Sequence, residues 1–175
     1  ASGADDVTWW ENDGSPSAGG WTEHTIEGNF DGARHVYAED IDTDGDIDVL
    51  AVANIGDDIT WWENTAIFSF DPTWTSNLIT ASASAASGVF AADLDNDGDM
   101  DIISASFADD TIAWYENSGG PFWSISAITD SADGAYSVFA ADLDNDGDMD
   151  IISASANDDT IAWYENDGDA NSWSA

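Results

Sequence analysis

A repeated segment constrains the fold of this chain more than any other feature of its sequence. Residues 89–117 (VFAADLDNDGDMDIISASFADDTIAWYEN) recur at residues 138–166 with only two changes. A more divergent copy covers residues 36–64, and residues 7–12 (VTWWEN) match the end of that copy. The copies are spaced by about 50 residues, which is in the range of propeller blades. Repeats of this kind bury their faces against neighbouring repeats, so the chain is predicted to be an array of similar units.

Each copy predicts four short β-strands. In the last full copy the first strand covers residues 137–143, the second 150–156 and the third 160–165, while residues 123–129 represent the fourth strand. Apolar residues alternate or run continuously in these segments, and no segment keeps the 3.6-residue period of a helix. The fold class is therefore all-β, with four-stranded antiparallel blades of a β-propeller-type repeat array.

The predicted blades do not close a ring within this chain. The array amounts to about three and a quarter blades, whereas closed propellers have about four to eight. The predicted divisions are a partial blade (third and fourth strands plus a linker) at 1–35, blades with an acidic loop at 36–88 and 89–137, and an incomplete blade with an acidic loop at 138–175.

Three loops share the pattern Asp-x-Asp-x-Asp-Gly-Asp-x-Asp, at residues 40–48, 93–101 and 142–150. Carboxylates at positions 1, 3 and 5 of a tight loop converge on one point, Gly at position 6 permits the sharp turn, and position 7 can offer its carbonyl. Position 9 returns another carboxylate, and the resulting oxygen cage suits Ca²⁺. Mg²⁺ demands stricter octahedral geometry, and Zn²⁺ or copper would favour His or Cys ligands. The alternative is an Asp/Gly turn that holds no metal.

The loops differ from an EF-hand, because the twelfth position is Ala51, Ser104 or Ser153 instead of Glu and the flanks are predicted strands. Together with the strands DIISAS and IAWYEN, they resemble the FG-GAP/VCBS repeat family. The resemblance implies propeller blades that hold about one calcium ion per loop, three in all, between the first and second strands. The implied ligands are Asp40, Asp42, Asp44, Asp46 (through its carbonyl) and Asp48; Asp93, Asp95, Asp97, Asp99 (carbonyl) and Asp101; and Asp142, Asp144, Asp146, Asp148 (carbonyl) and Asp150.

The charge of the chain limits its partners and its chemistry. Thirty-seven Asp and Glu residues stand against a single Lys or Arg, which gives a formal net charge of −36. Nucleic acid binding and membrane insertion are therefore not expected, because phosphate binding needs clustered cations and no long apolar run is present. Without Cys or Lys, the chain has no thiol nucleophile and no Schiff-base amine. Paired carboxylates could in principle hydrolyse glycosides, but near-identical copies do not suit one unique site, so we expect a protein that is not an enzyme.

Two sets of residues fall outside the loop motif. The Trp residues recur at blade spacing and are predicted to pack within and between blades. Four aromatic residues next to them are predicted to form an exposed row suited to glycan or partner contact: Trp10, Trp62, Tyr115 and Tyr164. His24, Arg34 and His35 are not repeated; divergence of one blade is the favoured explanation, and the alternative is that Arg34 pairs with acidic groups of a neighbouring blade or chain.

These features predict an extracellular calcium-binding repeat module with a structural or adhesive role, secreted or held at a cell surface and of bacterial origin. Self-assembly into a fibre or a larger propeller would be one form of that role. The alternatives are a carbohydrate-binding, lectin-like propeller and a non-catalytic spacer of a larger secreted protein. The expected partners are calcium, further copies of the chain or flanking repeats, and glycans.

Overall fold

A computed structural model of the chain describes residues 5–15, 19–66, 72–168 and 173–174. These residues form fourteen β-strands. No helix long and apolar enough to span a membrane occurs among them. The strands are Val7–Asn12 (β1), Trp21–Glu27 (β2), Ala33–Glu39 (β3), Asp48–Ala53 (β4), Asp58–Asn64 (β5), Trp74–Thr80 (β6), Ala86–Ala92 (β7), Asp101–Ser106 (β8), Thr111–Asn117 (β9), Trp123–Thr129 (β10), Ala135–Ala141 (β11), Asp150–Ser155 (β12), Thr160–Asn166 (β13) and Trp173–Ser174 (β14).

The strands form four antiparallel sheets, and within each sheet every strand pairs with the next one in the sequence. Strands β1 and β2 make a two-stranded sheet, and three four-stranded sheets follow, which are β3–β6, β7–β10 and β11–β14. The prediction of an all-β array of four-stranded blades that this chain alone does not close into a ring is confirmed.

The first strand of each four-stranded sheet begins a few residues before the boundary drawn from the sequence repeat. Strands β3, β7 and β11 begin at Ala33, Ala86 and Ala135, and in each the pairing register shifts within the first residues of the strand. Such a bulge adds an unpaired residue without ending the strand. The repeat in the sequence begins after this bulge, so similarity between copies did not reveal the start of the strand.

The core lies between successive sheets. Every residue of β4 and β8 is buried, as predicted for second strands covered on both faces. Leu50 and Val52 of β4 share a cluster with Val89 and Ile102 of the following sheet, and all four are fully buried. Burying one such side chain contributes about 1.5–3 kcal/mol, so the shared clusters between sheets contribute substantially to the stability of each sheet.

Tryptophan pairs join neighbouring sheets. Trp61 on β5 meets Trp123 on β10 edge-to-face with ring centroids 6.5 Å apart, and Trp114 on β9 meets Trp173 on β14 in the same way at 6.4 Å. Each pair combines a third strand with the fourth strand of the next sheet. The prediction that the repeated Trp residues pack between blades is confirmed for these four, whereas Trp21 and Trp163 are about half exposed.

The predicted exposed aromatic row is wrong for three of its four members. Trp62, Tyr115 and Tyr164 are only 2%, 3% and 6% exposed, whereas Trp10 is 54% exposed. Each buried ring packs into the core shared with the preceding sheet. Trp61 and Trp114, the neighbours of Trp62 and Tyr115, face the following sheet. Alternation along β5 and β9 therefore points the two neighbouring aromatic side chains at opposite sheets, and neither at solvent.

Arg34 and His35 contact aromatic or backbone groups of later sheets, whereas His24 Nε2 lies 3.1 Å from Glu11 Oε2 within the first sheet. The Arg34 guanidinium donates to the Tyr136 hydroxyl and its carbon lies 5.1 Å from the centre of that ring. Among the described residues, its partner on a neighbouring blade is therefore an aromatic ring and not an acidic group; pairing of Arg34 with another chain stays a prediction. His35 Nδ1 accepts the backbone N–H of Val89 at 3.3 Å. The two contacts join β3 to β11 and β7, the first strands of the two later sheets.

An Asp in the turn between second and third strands connects each sheet to the next. Asp110 adopts a left-handed φ of 58°, its Oδ1 accepts the N–H of Gly134 at 2.8 Å, and its carbonyl accepts the N–H of Ala132 at 2.9 Å. The same pair of bonds joins Asp5 to Gly32 and Phe30, and Asp57 to Ala85 and Ala83. The sequence predicted a polar turn here, and the structure adds that its carboxylate links two sheets.

We expect Asp110→Ala to destabilise the protein by about 1–2 kcal/mol more than Asp159→Ala. Asp159 occupies the equivalent turn position with φ 56°, but no hydrogen bond from another sheet reaches it in the described part of the chain. Both substitutions carry the same left-handed backbone cost, so their difference isolates the inter-sheet bond. Urea unfolding in calcium-containing buffer measures this difference in the free energy of unfolding. Equal losses of stability in the two variants would refute the role of the Asp110 carboxylate.

Candidate metal sites

The three acidic loops connect the first and second strands of the four-stranded sheets, as predicted. In the first loop the Gly45 N–H donates to Asp40 Oδ2 at 3.0 Å, the Asp44 N–H to Asp42 Oδ1 at 3.2 Å, and the Asp46 N–H to Asp44 Oδ1 at 2.9 Å. The corresponding bonds recur in the other two loops. Local backbone N–H groups therefore hold the carboxylates of positions 1, 3 and 5 against the loop.

Two successive turns give the loops their shape. Position 4 is left-handed in all three, with φ of 60° at Thr43, 60° at Asn96 and 66° at Asn145. The Gly at position 6 follows with φ near 100°, for example 101° at Gly45, a conformation that costs a residue with a Cβ substantially more than it costs glycine. Asn tolerates the left-handed region well, whereas the β-branched Thr43 is strained there.

The carboxylate at position 9 is buried and anchors the loop to the sheet. Asp101 has no exposed surface; its Oδ2 accepts the Leu94 N–H at 3.1 Å and its Oδ1 accepts the Asn117 N–H at 2.8 Å. The Asn117 side chain in turn donates to the carbonyl of Met100 at 3.2 Å. The equivalents are Asp48 with Ile41 and Asn64, and Asp150 with Leu143 and Asn166.

The Asn that ends each third strand is a supporting residue that the sequence interpretation missed. This Asn supports the loop from the end of the third strand. Its backbone N–H donates to the carboxylate of position 9, and its side-chain amide donates to the carbonyl of position 8. The signal was present, because Asn64, Asn117 and Asn166 stand at the same spacing after each acidic loop. Nothing in a single strand, however, shows that its last residue lies beside a loop two connections earlier.

Each loop brings three carboxylates together. One oxygen from each lies within 4.8 Å of the others, a spacing compatible with common ligation of one cation. The groups are Asp40, Asp42 and Asp48 in the first loop; Asp93, Asp95 and Asp97 in the second; and Asp142, Asp144 and Asp146 in the third. Asp44, Asp101 and Asp150 lie outside these groups, and Asp46, Asp99 and Asp148, the residues predicted to bind through carbonyls, place no carboxylate in them.

Two buried oxygens in the loops lack a hydrogen-bond partner. They are Oδ1 of Asp40 and Oδ1 of Asp93, both at position 1, whose other oxygen accepts the glycine N–H. A buried acceptor left unsatisfied costs about 1–3 kcal/mol, so such atoms are rare in folded proteins. A hard cation at the centre of the loop would satisfy them, and the all-oxygen donor set fits calcium.

Burial works against full ionisation of the loops. It raises the pKa of Asp101 to about 7, with a smaller contribution from the negative charge of Asp95, even though two backbone N–H groups oppose the shift. Burial also raises the pKa of Asp48 and, followed by the charge of neighbouring carboxylates, of Asp42 and Asp95. Without a cation these groups gain free energy by holding protons.

We expect the calcium-free protein to lose stability as the pH rises from about 4 to about 7. The pKa of Asp101 is raised from 3.8 in the unfolded chain to about 7 in the folded one, so the folded state binds more protons throughout that window. Ionisation therefore penalises the folded state as the pH rises, and the loss levels off above about pH 7. Urea unfolding of the calcium-free protein across this pH range measures the change in the free energy of unfolding. Asp101→Asn should flatten the profile, and an unchanged profile in that variant would contradict the assignment.

The fold and these loops together define a class of protein. Four-stranded antiparallel sheets that pack in sequence order, each with an acidic loop between its first two strands, make a β-propeller-like blade repeat. The FG-GAP-like repeat family matches residues 40–104 and again residues 93–153, which together cover more than half of the chain, so the chain belongs to that family. The resemblance seen in the sequence is confirmed. A comparison with curated proteins gives no significant match.

Proposed function

We propose that this chain is a calcium-binding repeat module with a structural or adhesive role outside the cell. The observation that carries the proposal is the recurrence of a three-carboxylate group in every acidic loop, with an unpartnered buried oxygen in two of them. Family membership supports it, because FG-GAP-like repeats are typical of extracellular proteins and often bind calcium. Extracellular calcium also suits sites made only of oxygen ligands, whose affinities extend to the weak range.

Calcium in this proposal acts as a structural clip. The ion would be held by the carboxylates of positions 1, 3, 5 and 9 and the carbonyl of position 7, and its charge would offset the repulsion that those carboxylates exert on one another. Because the unfolded chain does not preform the loops, the free energy of binding adds to the free energy of folding. The loop joins the two innermost strands, so the clip would stabilise the part of each sheet that packs on its neighbours.

The module is proposed to be non-catalytic. The chain contains no Cys and no Lys, which excludes thiol and Schiff-base chemistry. Its paired carboxylates are engaged by loop backbone N–H groups in three near-identical settings. This repetition is what a structural role requires and does not favour a single reactive centre.

A carbohydrate-binding role is the second candidate. A cavity of about 260 Å³ lies between β1, β2 and β3 and is bordered by Trp10, Glu23, Arg34 and His35. An exposed aromatic ring beside carboxylate and cationic hydrogen-bonding groups is the combination that holds a sugar ring. This surface is absent from the other sheets, where the equivalents of Trp10 are buried.

We propose that the open sheet faces pack on further repeats, either flanking ones or those of a second copy. Trp163 on β13 is 44% exposed and stands where Trp61 and Trp114 meet a fourth-strand Trp. Trp21 on β2 is 50% exposed and stands where Trp123 and Trp173 meet a third-strand Trp. The two faces are thus complementary halves of a contact that the chain already makes twice.

We expect chelation of calcium to lower the melting temperature of the protein sharply, and added calcium, but not sodium chloride of equal ionic strength, to restore it. Asp95→Asn should remove roughly 5–10 °C of the calcium-dependent increase, if calcium is present at about 100 times its dissociation constant. Asp109→Asn, an exposed turn carboxylate outside the loops, is the matched control and should leave the increase unchanged. A melting temperature that does not respond to chelation would remove the calcium role.

If a second copy covers the open faces, sedimentation velocity in calcium should show association that increases with protein concentration. Trp163→Ala should weaken that association about tenfold or more, because an aromatic anchor at the centre of such a contact is typically worth at least 2 kcal/mol. Phe122→Ala, which removes an 84% exposed ring from a loop outside the sheet faces, is the control. A monomer at all concentrations would exclude the second copy and leave flanking repeats as the partner.

A further inference from the structure

Two neighbouring acidic loops are joined directly by a side-chain hydrogen bond. Asn96, at position 4 of the second loop (residues 93–101), donates from Nδ2 to Oδ1 of Asp148 at 2.8 Å. Asp148 is at position 7 of the third loop (residues 142–150), where the carbonyl is the predicted ligand and the carboxylate is free to accept this bond. The two bonded residues are 52 positions apart in the sequence.

A second, buried connection joins the same two loops. Asn166 at the end of β13 is 1% exposed, and its Nδ2 donates to the carbonyl of Leu94 in the second loop at 2.8 Å. The same amide donates to the carbonyl of Met149 in the third loop at 3.3 Å, and the Asn166 N–H donates to Asp150 Oδ1 at 2.9 Å. One amide therefore contacts both loops in a dry environment, where a broken hydrogen bond is costly.

The first loop (residues 40–48) and the second loop lack such connections. Thr43 holds the position of Asn96, and no hydrogen bond joins the two loops, both of which lie wholly within the described residues. Among the residues that the structure describes, the hydrogen bonds of Asn117, the counterpart of Asn166, stay within its own sheet and the turn that follows β9. A cavity of about 520 Å³ lies between these sheets and is bordered by Asp42 of the first loop and Asp99 of the second.

We propose that Asn96 is a positioning residue that couples calcium binding in the second and third loops, while the first loop binds its ion independently. The inference rests on the proposed calcium-binding function. An ion in the third loop fixes the peptide of Asp148 and with it the carboxylate that Asn96 contacts. That carboxylate then supports the left-handed conformation of Asn96, which the second loop needs in order to bring its own carboxylates together.

Coupling requires that the strength of this contact differ between the ion-free and ion-bound states. Without an ion the carboxylates of the third loop repel one another, so Asp148 is held less firmly and Asn96 loses a fixed partner. Because coupling between two binding sites is reciprocal, an ion in the second loop strengthens binding in the third by the same factor. The buried Asn166 contact persists when Asn96 is changed, so the coupling is expected to be reduced in that variant and not abolished.

The test follows each loop separately by NMR during a calcium titration. The amides of Gly45, Gly98 and Gly147 each donate to the position 1 carboxylate of their own loop, so their chemical shifts report its occupancy. Asp144→Asn disables the third loop but keeps an oxygen to accept the N–H of Asp146. In this variant the titration midpoint of Gly98 should rise about fivefold, and that of Gly45 should not change.

In a protein that already carries Asn96→Ala, adding Asp144→Asn should raise the calcium titration midpoint of Gly98 by about twofold or less. Asn145→Ala is the matched control, because it places Ala at the same left-handed position in the third loop without removing a bond between loops. The coupling is refuted if Asp144→Asn leaves the titration midpoint of Gly98 unchanged. It is also refuted if Asn145→Ala reduces the effect of Asp144→Asn on that midpoint as much as Asn96→Ala does. If no glycine amide responds to calcium in the unmodified protein, the proposed function itself fails.

Discussion

The crowding of five Asp residues into each acidic loop is the constraint on which the rest of the structure depends. Backbone N–H groups bind one oxygen of the carboxylates at positions 1, 3 and 5 from within the loop, and both oxygens at position 9 from the loop start and the end of the third strand. These donors do not suffice, because Oδ1 of Asp40 and of Asp93 remain buried without a partner. Burial and mutual repulsion then raise the pKa of several of these carboxyl groups. A divalent cation is the simplest group that meets all of these demands together.

The acidic residues of this chain serve its architecture as well as its charge. Position 9 carboxylates hold the first three strands of a sheet in register, and turn carboxylates such as Asp57 and Asp110 bind the backbone of the next sheet. Part of the net charge of −36 therefore lies on carboxylates that hydrogen-bond to backbone groups of the fold. Such a chain opposes its own compaction wherever that charge is not offset, which links the stability of the array to the supply of cations.

The interfaces between sheets are similar in their apolar contacts and different in their polar ones. Edge-to-face Trp pairs and shared aliphatic clusters recur from sheet to sheet. Asn96 and Asn166, by contrast, connect the second and third loops, while a cavity lies between the sheets that carry the first and second. Repetition therefore fixes the packing of the array, and a few substitutions such as Thr43 in place of Asn distinguish the pairs of acidic loops that are joined by a hydrogen bond from those that are not.

The sequence by itself determined the strands, the four-stranded blades and the residues of the acidic loops, because strand alternation and Asp/Gly turn chemistry act over a few neighbouring residues. It could not determine which face of a third strand meets another sheet, and so Trp62, Tyr115 and Tyr164 were wrongly predicted to be exposed. It also did not reveal the Asp110 to Gly134 bond or the Asn96 to Asp148 bond. These contacts join residues that are far apart in the chain, and only the packing of one sheet on the next brings them within hydrogen-bonding distance.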